Sequence, residues 1–511
     1  MNTFSAPEID YSAIAPILIV FVAALISVLV EAFIPRTSRR FLQMLITFGA
    51  IITAGVWLFT IRDTRVITAG GSLAIDGPAI MMQGTILVLA LLGAMLVSER
   101  SLDSLGDAFA PRASALPGSV DEREFSNRGF TQTEIWTLYL FAVTGMLSFV
   151  AANDLLFMFI ALEIMSLPLY LMVGMARRRR LLSQEAALKY FVLGAFASAF
   201  FIFGAALVYG YAGTISLPGI SDALTVNTGE SALVLIGLGM LLIGLFFKIG
   251  AVPFHQWTPD VYQGAPTPIT GFMGAAVKVA AFGALMRLLY VGFSGLRWDW
   301  EIIIWVVAIL SMLVGSLIAI TQSDIKRMLA YSAVAQSGFI LVGVATSTAE
   351  GIAAVLFYLI AYGFVTIGAF AVVSMVRDAS GEATHLSKWA GLGKKSPMVA
   401  TVFSIFMLSL AGIPLTSGFV IKFSVFAAAI TAGQTWLVIV AVAASVVAAF
   451  FYVRVIVIMF FSAPTENTAS VAIPSAFTTI ALAASATVTI VLGVIPQPII
   501  EMVANAGIFI R

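Results

Sequence analysis

Phe247-Lys248-Ile249-Gly250-Ala251-Val252-Pro253-Phe254-His255-Gln256-Trp257 lies within an apolar run that extends from about residue 232 to about residue 262. A helix needs about 20 apolar residues to cross a hydrocarbon layer of about 30 Å, so this run is too long to cross unbroken. Pro253 has no N–H to give and leaves the carbonyl of Ile249 free, beside Lys248. Interrupted helices are tolerated at membrane depth only where they line a cavity or are covered by protein, and an ionisable group there needs a partner or water. The stretch therefore predicts a broken transmembrane helix within an all-α polytopic membrane protein.

The rest of the chain agrees. Of its 511 residues 60% are hydrophobic and 10% charged, where soluble domains carry about 25% charged residues. Apolar runs near residues 12–33, 41–61, 78–98, 133–151, 154–176, 184–211, 232–262, 267–291, 301–321, 326–345, 351–376, 396–430, 434–461 and 473–495 predict fourteen spans, the first a retained helix. Loops after odd-numbered spans hold seventeen Lys and Arg, among them Arg177 to Arg180, against four on the other side. Cytoplasmic loops are the basic ones, so both termini are expected outside. The segment from Glu99 to Gln132, with Pro111, Pro117 and Gly118, has no apolar period and is expected to be a surface loop.

Composition also excludes functions. With 27 basic and 26 acidic residues there is no basic footprint for nucleic acid. The chain has no cysteine for an iron-sulfur cluster and two histidines, which nearly excludes bis-histidine haem. Gly391-Leu392-Gly393-Lys394-Lys395-Ser396 lacks the first glycine of a phosphate loop, Lys388 standing in its place, and Ser396-Pro397 reads as a helix start. Redox chemistry and nucleotide hydrolysis do not belong to this chain.

Function is therefore sought in charges inside spans. At about 1.5 Å per residue, Glu163 lies about 14 Å beyond Asp154, Lys278 about 16 Å beyond Thr267, which with Pro268 is expected to cap its helix, and Lys422 about 16 Å before Gly433; Lys248 is also central. Pro168 follows Glu163 by five residues, and Pro414, with Gly412 and Gly418, interrupts the span of Lys422. Arg287, Arg454 and Glu31 lie near span ends and are expected to snorkel. Lys189 is either an interface anchor or a buried partner.

Burial disfavours the charged form of lysine and glutamate, and mutual attraction restores it, so a close Glu163–Lys248 pair would titrate as one unit. Opening such a pair would pass a proton to Lys278 in the middle and Lys422 beyond, a relay without a cofactor. His255 either takes protons from the cytoplasm or is a structural hydrogen-bonding residue. Tyr358 and Tyr362, four apart on one helix face, either hold water between the last two lysines or pack helices. Spans 4–8 (residues 133–291) and 9–13 (residues 301–461) each contain a broken helix in fourth place and begin on opposite sides, which predicts two inverted five-helix repeats. They would be flanked by a three-helix segment with its loop (residues 1–132) and a last helix and tail (residues 473–511).

Phe247 to Tyr262, continuing through Gly264-Ala265-Pro266-Thr267-Pro268 to Lys278, resembles the signature of the antiporter-like subunits of respiratory NADH:quinone oxidoreductase. Supporting stretches are Leu162-Glu163-Ile164-Met165-Ser166-Leu167-Pro168, Asp324-Ile325-Lys326-Arg327-Met328-Leu329-Ala330-Tyr331-Ser332, and Ala411-Gly412-Ile413-Pro414-Leu415 leading to Lys422. Three such subunits exist, with relatives in multisubunit sodium/proton antiporters and membrane hydrogenases. Subunit L has extra C-terminal spans, and subunit M has a glutamate where this chain has Lys422, so the third kind fits. The resemblance implies proton translocation with Glu163 paired to Lys248, Lys278 central, Lys422 at the exit side and Lys189 modulating the pair. It implies no cofactor on this chain, with FMN, iron-sulfur clusters and the NADH and quinone sites in other subunits. It further implies subunit M and the small subunit K as neighbours in a bacterial inner membrane. The alternatives are a sodium/proton antiporter subunit and a passive scaffold.

Overall fold

The computed structural model describes residues 8–103, 106–111, 119–127, 131–226, 232–379, 381–464 and 468–511, so Arg112, Pro117, Gly118 and Arg128 of the long loop lie outside the described residues. Among the described residues thirteen helices are long and apolar enough to cross a membrane. In chain order the helices are α1 (Tyr11–Phe33), α2 (Arg36–Thr60), α3 (Gly77–Val97), α4 (Glu134–Ala151), α5 (Leu155–Val173) and α6 (Arg180–Ala212). There follow α7 (Ala232–Ile249) with its short continuation α8 (Trp257–Gly264), α9 (Thr267–Gly292), α10 (Arg297–Thr321), α11 (Ile325–Ala345) and α12 (Ala349–Met375). The expected span near residues 396–430 is two shorter helices, α13 (Pro397–Ala411) and α14 (Ser417–Thr431), before α15 (Thr435–Phe461) and α16 (Ala476–Val494). All fourteen expected runs are thus helical, and the chain is a multi-pass membrane protein with a broken helix at each of the two expected places.

Acidic side chains start many of the helices. Asp10, Asp76, Asp154 and Asp324 each accept a hydrogen bond from a backbone N–H of the first turn, which satisfies groups that the helix itself leaves unpaired. Breaks occur where glycine takes a positive φ, at Gly250 (φ 68°) and Gly412 (φ 85°). Apolarity marks bilayer thickness rather than helix length. Arg36, Arg39 and Arg40, and likewise Arg180, ride on helical turns that the hydropathy pattern excluded.

α9 is buried along its whole spanning window, and α11 and α12 nearly so, whereas α1, α2 and α16 lie outside them. Two small sheets sit at the helix ends: Val66–Thr68 pairs antiparallel with Leu73–Ile75, and Val376–Asp378 pairs with Gly381–Glu382 and Ser470–Val471. A further amphipathic helix, α17 (Gln497–Ala506), follows α16 and buries Val503; its short period lay below the span criterion.

Three expectations are corrected. Arg287 does not snorkel: it is fully buried, with Nη2 2.7 Å from Asp76 Oδ1, because the acid that caps α3 is also its counter-ion. Breaking such a pair costs about 3–5 kcal/mol, since one uncompensated charge stays behind. The long loop is not simply superficial, because Phe109 and Ala110 are buried and Asp107 pairs with Arg177 at 2.8 Å. Thr267 does not cap α9; Pro266 holds that position, and the Thr267 hydroxyl donates to Glu382 at 2.6 Å.

Candidate functional site

Lys248 ends α7. It is 3% exposed, and its Nζ lies 5.1 Å from the Tyr170 ring centre and 5.2 Å from that of Tyr190, with the Tyr170 hydroxyl 3.4 Å away. Gly194 makes room for this arrangement, since a Cβ there would stand 2.0 Å from the Tyr170 hydroxyl. The expected direct contact with Glu163 is absent: the Ser198 hydroxyl donates to Glu163 Oε1 at 2.5 Å, and Lys248 turns to the tyrosines. Tyr170 therefore takes the ammonium that was expected to touch the carboxylate. Glu163 itself is half-buried on the face of α5 that exposes Leu156, Ile160, Leu167 and Leu171.

Lys278 is 4% exposed in α9, directly after a wide π turn over Met273–Val277. Such turns often accompany functional sites. Its Nζ donates to the carbonyl of Ala333 and the hydroxyl of Ser337, with the Tyr362 ring 5.4 Å away. The Ser337 hydroxyl also lies 2.7 Å from the carbonyl of Ile249, the group freed at the end of α7. One serine therefore touches both Lys278 and the residue after Lys248.

Lys422 in α14 is 5% exposed and faces the broken end of α13. Its Nζ donates to the carbonyls of Leu410 and Ala411 at 3.1 Å and to the Ser445 hydroxyl at 2.9 Å, under the Phe339 ring. The negative end of a helix dipole favours a cation there. Gln336, one residue before Ser337, donates to the same Leu410 carbonyl at 3.0 Å and accepts from the Tyr358 hydroxyl. Tyr452 joins it at 3.2 Å and meets Ser332 at 2.5 Å. Two buried polar clusters thus form a line, Ile249–Ser337–Lys278 and Gln336–Leu410–Lys422, which abut at the neighbouring residues Gln336 and Ser337 of α11.

Two residues named from the sequence stand apart from this line. Lys189 bridges Glu185 and Asp260, each at 2.7 Å, and Asp260 also binds Arg327 at 2.6 Å. His255 is half-buried against the Tyr331 ring, and its Nδ1 is buried without a partner; it bonds to none of Lys248, Lys278 and Lys422. Near-end charges behave diversely: Glu31 accepts from Gln43 and Thr133, and Arg454 donates to the carbonyl of Ile320. Reasoning from charge missed Ser198, Gln336, Ser337, Ser445 and Tyr452. Gln336-Ser337 within the otherwise apolar second half of α11 was a legible signal.

Beyond the spans, Asp103 is gripped by Arg178 at 2.6 Å and Arg377 at 2.5 Å, which ties the α3 loop to both halves of the bundle. The hydrogen bonds that Arg178 donates to Asp103 outweigh desolvation and raise the Arg178 pKa above its ordinary value. Burial alone would raise Glu99, but hydroxyl and backbone donors at Ser101 and Ser475 hold it at about 2. Among the described residues no cluster of three His, Asp or Glu side chains is arranged to hold a metal ion.

Residues 152–448, which contain the whole line, match a family model described as NADH:quinone oxidoreductase/Mrp antiporter, TM. Over its full length the chain is 54% identical to NADH-quinone oxidoreductase subunit N of Rhodococcus opacus, covering 98% of that protein. It is 52% identical to the subunit of the same name in Salinispora arenicola, again over all of both chains. Among solved structures, a chain of respiratory complex I from Thermus thermophilus with bound aureothin is similar at 32% identity and a TM-score of 0.77, with 95% of this chain and 98% of that one covered. A chain of the Mrp complex from Dietzia sp. shares the fold, at 24% identity and a TM-score of 0.80, with 98% and 97% covered.

Proposed function

The chain belongs to the family of NADH-quinone oxidoreductase subunit N, membrane subunits of a translocating oxidoreductase, and from that premise we propose that protons cross it along Glu163, Lys248, Lys278 and Lys422. The observation that carries this reading is a pair of buried hydrogen-bonded clusters, Ile249–Ser337–Lys278–Ala333 and Gln336–Leu410–Lys422, which meet at the adjacent residues Gln336 and Ser337 of α11. Each lysine is buried with neutral oxygen or ring partners and no carboxylate within ion-pair reach, which suits a group that must release its proton. Glu163, out on the exposed face of α5, supplies the charge that draws Lys248 toward one side of the chain. Lys189, held by Glu185 and Asp260, acts on the same end from outside, and His255 is auxiliary.

Electron transfer and its FMN and iron-sulfur clusters belong to partner subunits. The exposed apolar stripe around Glu163 suits cover by a neighbouring subunit such as M or K. The two broken helices support a pair of inverted repeats. The basic loops set both termini on the periplasmic side of a bacterial inner membrane. Reporter fusions at Arg178 and Ala223 test that orientation; they are expected to read cytoplasm and periplasm respectively, and the reverse would overturn it.

The relay is tested by Glu163→Gln in the assembled complex. Proton pumping and coupled quinone reduction per assembled complex, counted on native gels, are expected to fall several-fold. A scaffold would lose assembly and keep its specific activity.

A further inference from the structure

Arg287 is the one buried ionisable group of α9 that the relay does not use. It lies nine residues beyond Lys278 on the same helix, about 14 Å at 1.5 Å per residue, and a second π turn, Leu288–Gly292, follows it at once. Beyond that turn a cavity opens among Tyr290, Ser294, Arg297, Ser347, Phe509 and Arg511. A cavity lined in part by Ser294, Arg297, Ser347 and Arg511, at the far end of the helix that carries Lys278, offers protons a way out of the relay, and something has to close it.

We propose that Arg287, Asp76 and the segment 507–511 form a proton seal between Lys278 and this cavity. The inference rests on the reading of Lys278 as a proton carrier. Both members of the pair are fully buried. Asp76 Oδ1 accepts from Arg287 Nη2 at 2.7 Å and from Ala79 N at 3.0 Å, and Oδ2 accepts from Ile510 N at 3.1 Å. Arg287 Nε donates to the carbonyl of Val150 at 3.2 Å, and the Phe509 ring lies over the guanidinium at 4.9 Å.

Phe509 has one side on Arg287 and the other in the cavity, and it also meets Tyr290 edge-on at 6.1 Å. Arg511 fastens the segment through Ser294 at 2.6 Å. A guanidinium does not give up its proton, and three of the roughly four acceptor positions of the Asp76 carboxylate are taken by Arg287, Ala79 and Ile510. A proton on Lys278 therefore meets a dead end along α9 and is left with the sideways route through α11. Fixed cations exclude protons from membrane pores by the same electrostatic means.

The assembled complex reconstituted into liposomes tests this by passive proton flux without NADH, followed by the ratio of protons pumped to NADH oxidised. Arg287→Gln is expected to raise passive flux several-fold and lower the ratio, while quinone reduction continues with an unchanged KM. Phe509→Ala and Ile510→Pro, which remove the cover and one donor, are expected to raise flux less. These two decide the matter if Arg287→Gln does not assemble. Parental flux in assembled Phe509→Ala and Ile510→Pro, or in Arg287→Gln, overturns the seal. Adding Lys278→Ala to a leaking variant separates the two readings: flux returning to the parental level supports both, and flux that persists leaves a seal but refutes Lys278 as the carrier behind it.

Discussion

At the first break, between α7 and α8, Lys248 meets one hydroxyl at 3.4 Å and the faces of two tyrosines; at the second, between α13 and α14, Lys422 has three oxygen acceptors within 3.1 Å. Contact with a ring face attracts an ammonium strongly when water is excluded, but sets no direction for its N–H groups. Backbone carbonyls do set one, and three of the ammonium's donors are then spoken for. The first lysine is thus held in place while free to turn, toward Glu163 or toward the Ser337 side. The second is clamped at the end of a helix. Two breaks with similar sequence punctuation produce a mobile cation at one end of the line and a fixed one at the other.

The strongest test of this contrast removes what joins the two ends. Lys278→Ala is expected to abolish coupled quinone reduction in complex that still assembles on native gels, and Lys278→Arg to rescue poorly, because a guanidinium keeps its proton. Full activity in the Arg variant would mean that positive charge alone suffices.

Next in size is an exchange at the two ends. Lys422→Arg has to fit a larger planar group beside Gly412, where an added Cβ would stand 3.0 Å from the lysine chain, so assembly is expected to suffer and turnover to fall more than tenfold. Lys248→Arg, stacked between rings that also suit a guanidinium, is expected to keep more of its assembly, although a guanidinium keeps its proton and turnover falls there too. Equal losses of assembly at both ends would erase the distinction between loose and clamped.

The mildest test trims one contact at each break. Ser445→Ala leaves Lys422 with one directed acceptor fewer, worth about 1 kcal/mol or somewhat more for a charged donor, and is expected to slow pumping a few-fold. Tyr170→Phe keeps the ring and loses only a long bond, so NADH-driven dye quenching is expected to change little.

Much of this was readable before any coordinates. Fourteen apolar runs, two over-long and broken by Gly and Pro, set the architecture, because burying backbone in a bilayer leaves helices as nearly the sole solution. Glu163, Lys248, Lys278 and Lys422 stood out because charge at depth is costly. Three things were missed. The Tyr170 ring against Lys248 depends on a glycine four residues after Tyr190 on another helix, a coincidence of packing that no period records. Gln336 and Ser337 carry no formal charge and so fell below a search for charges. Arg287 was misjudged from distance to a helix end, since its partner Asp76 lies 211 residues away along the chain.

The π turn before Lys278 has a consequence for how α9 tolerates change in length. A π turn houses one residue more than the α turn it replaces and loops the surplus out locally, so the helix on either side keeps its facing. Shortening Met273–Val277 by one alanine is therefore absorbed where it occurs, and Lys278 still points at Ser337. The same deletion a turn later, in the regular α-helical part, rotates everything beyond it by about 100° and carries Arg287 off Asp76. Within one helix, then, indel tolerance changes from permissive to forbidding across Lys278.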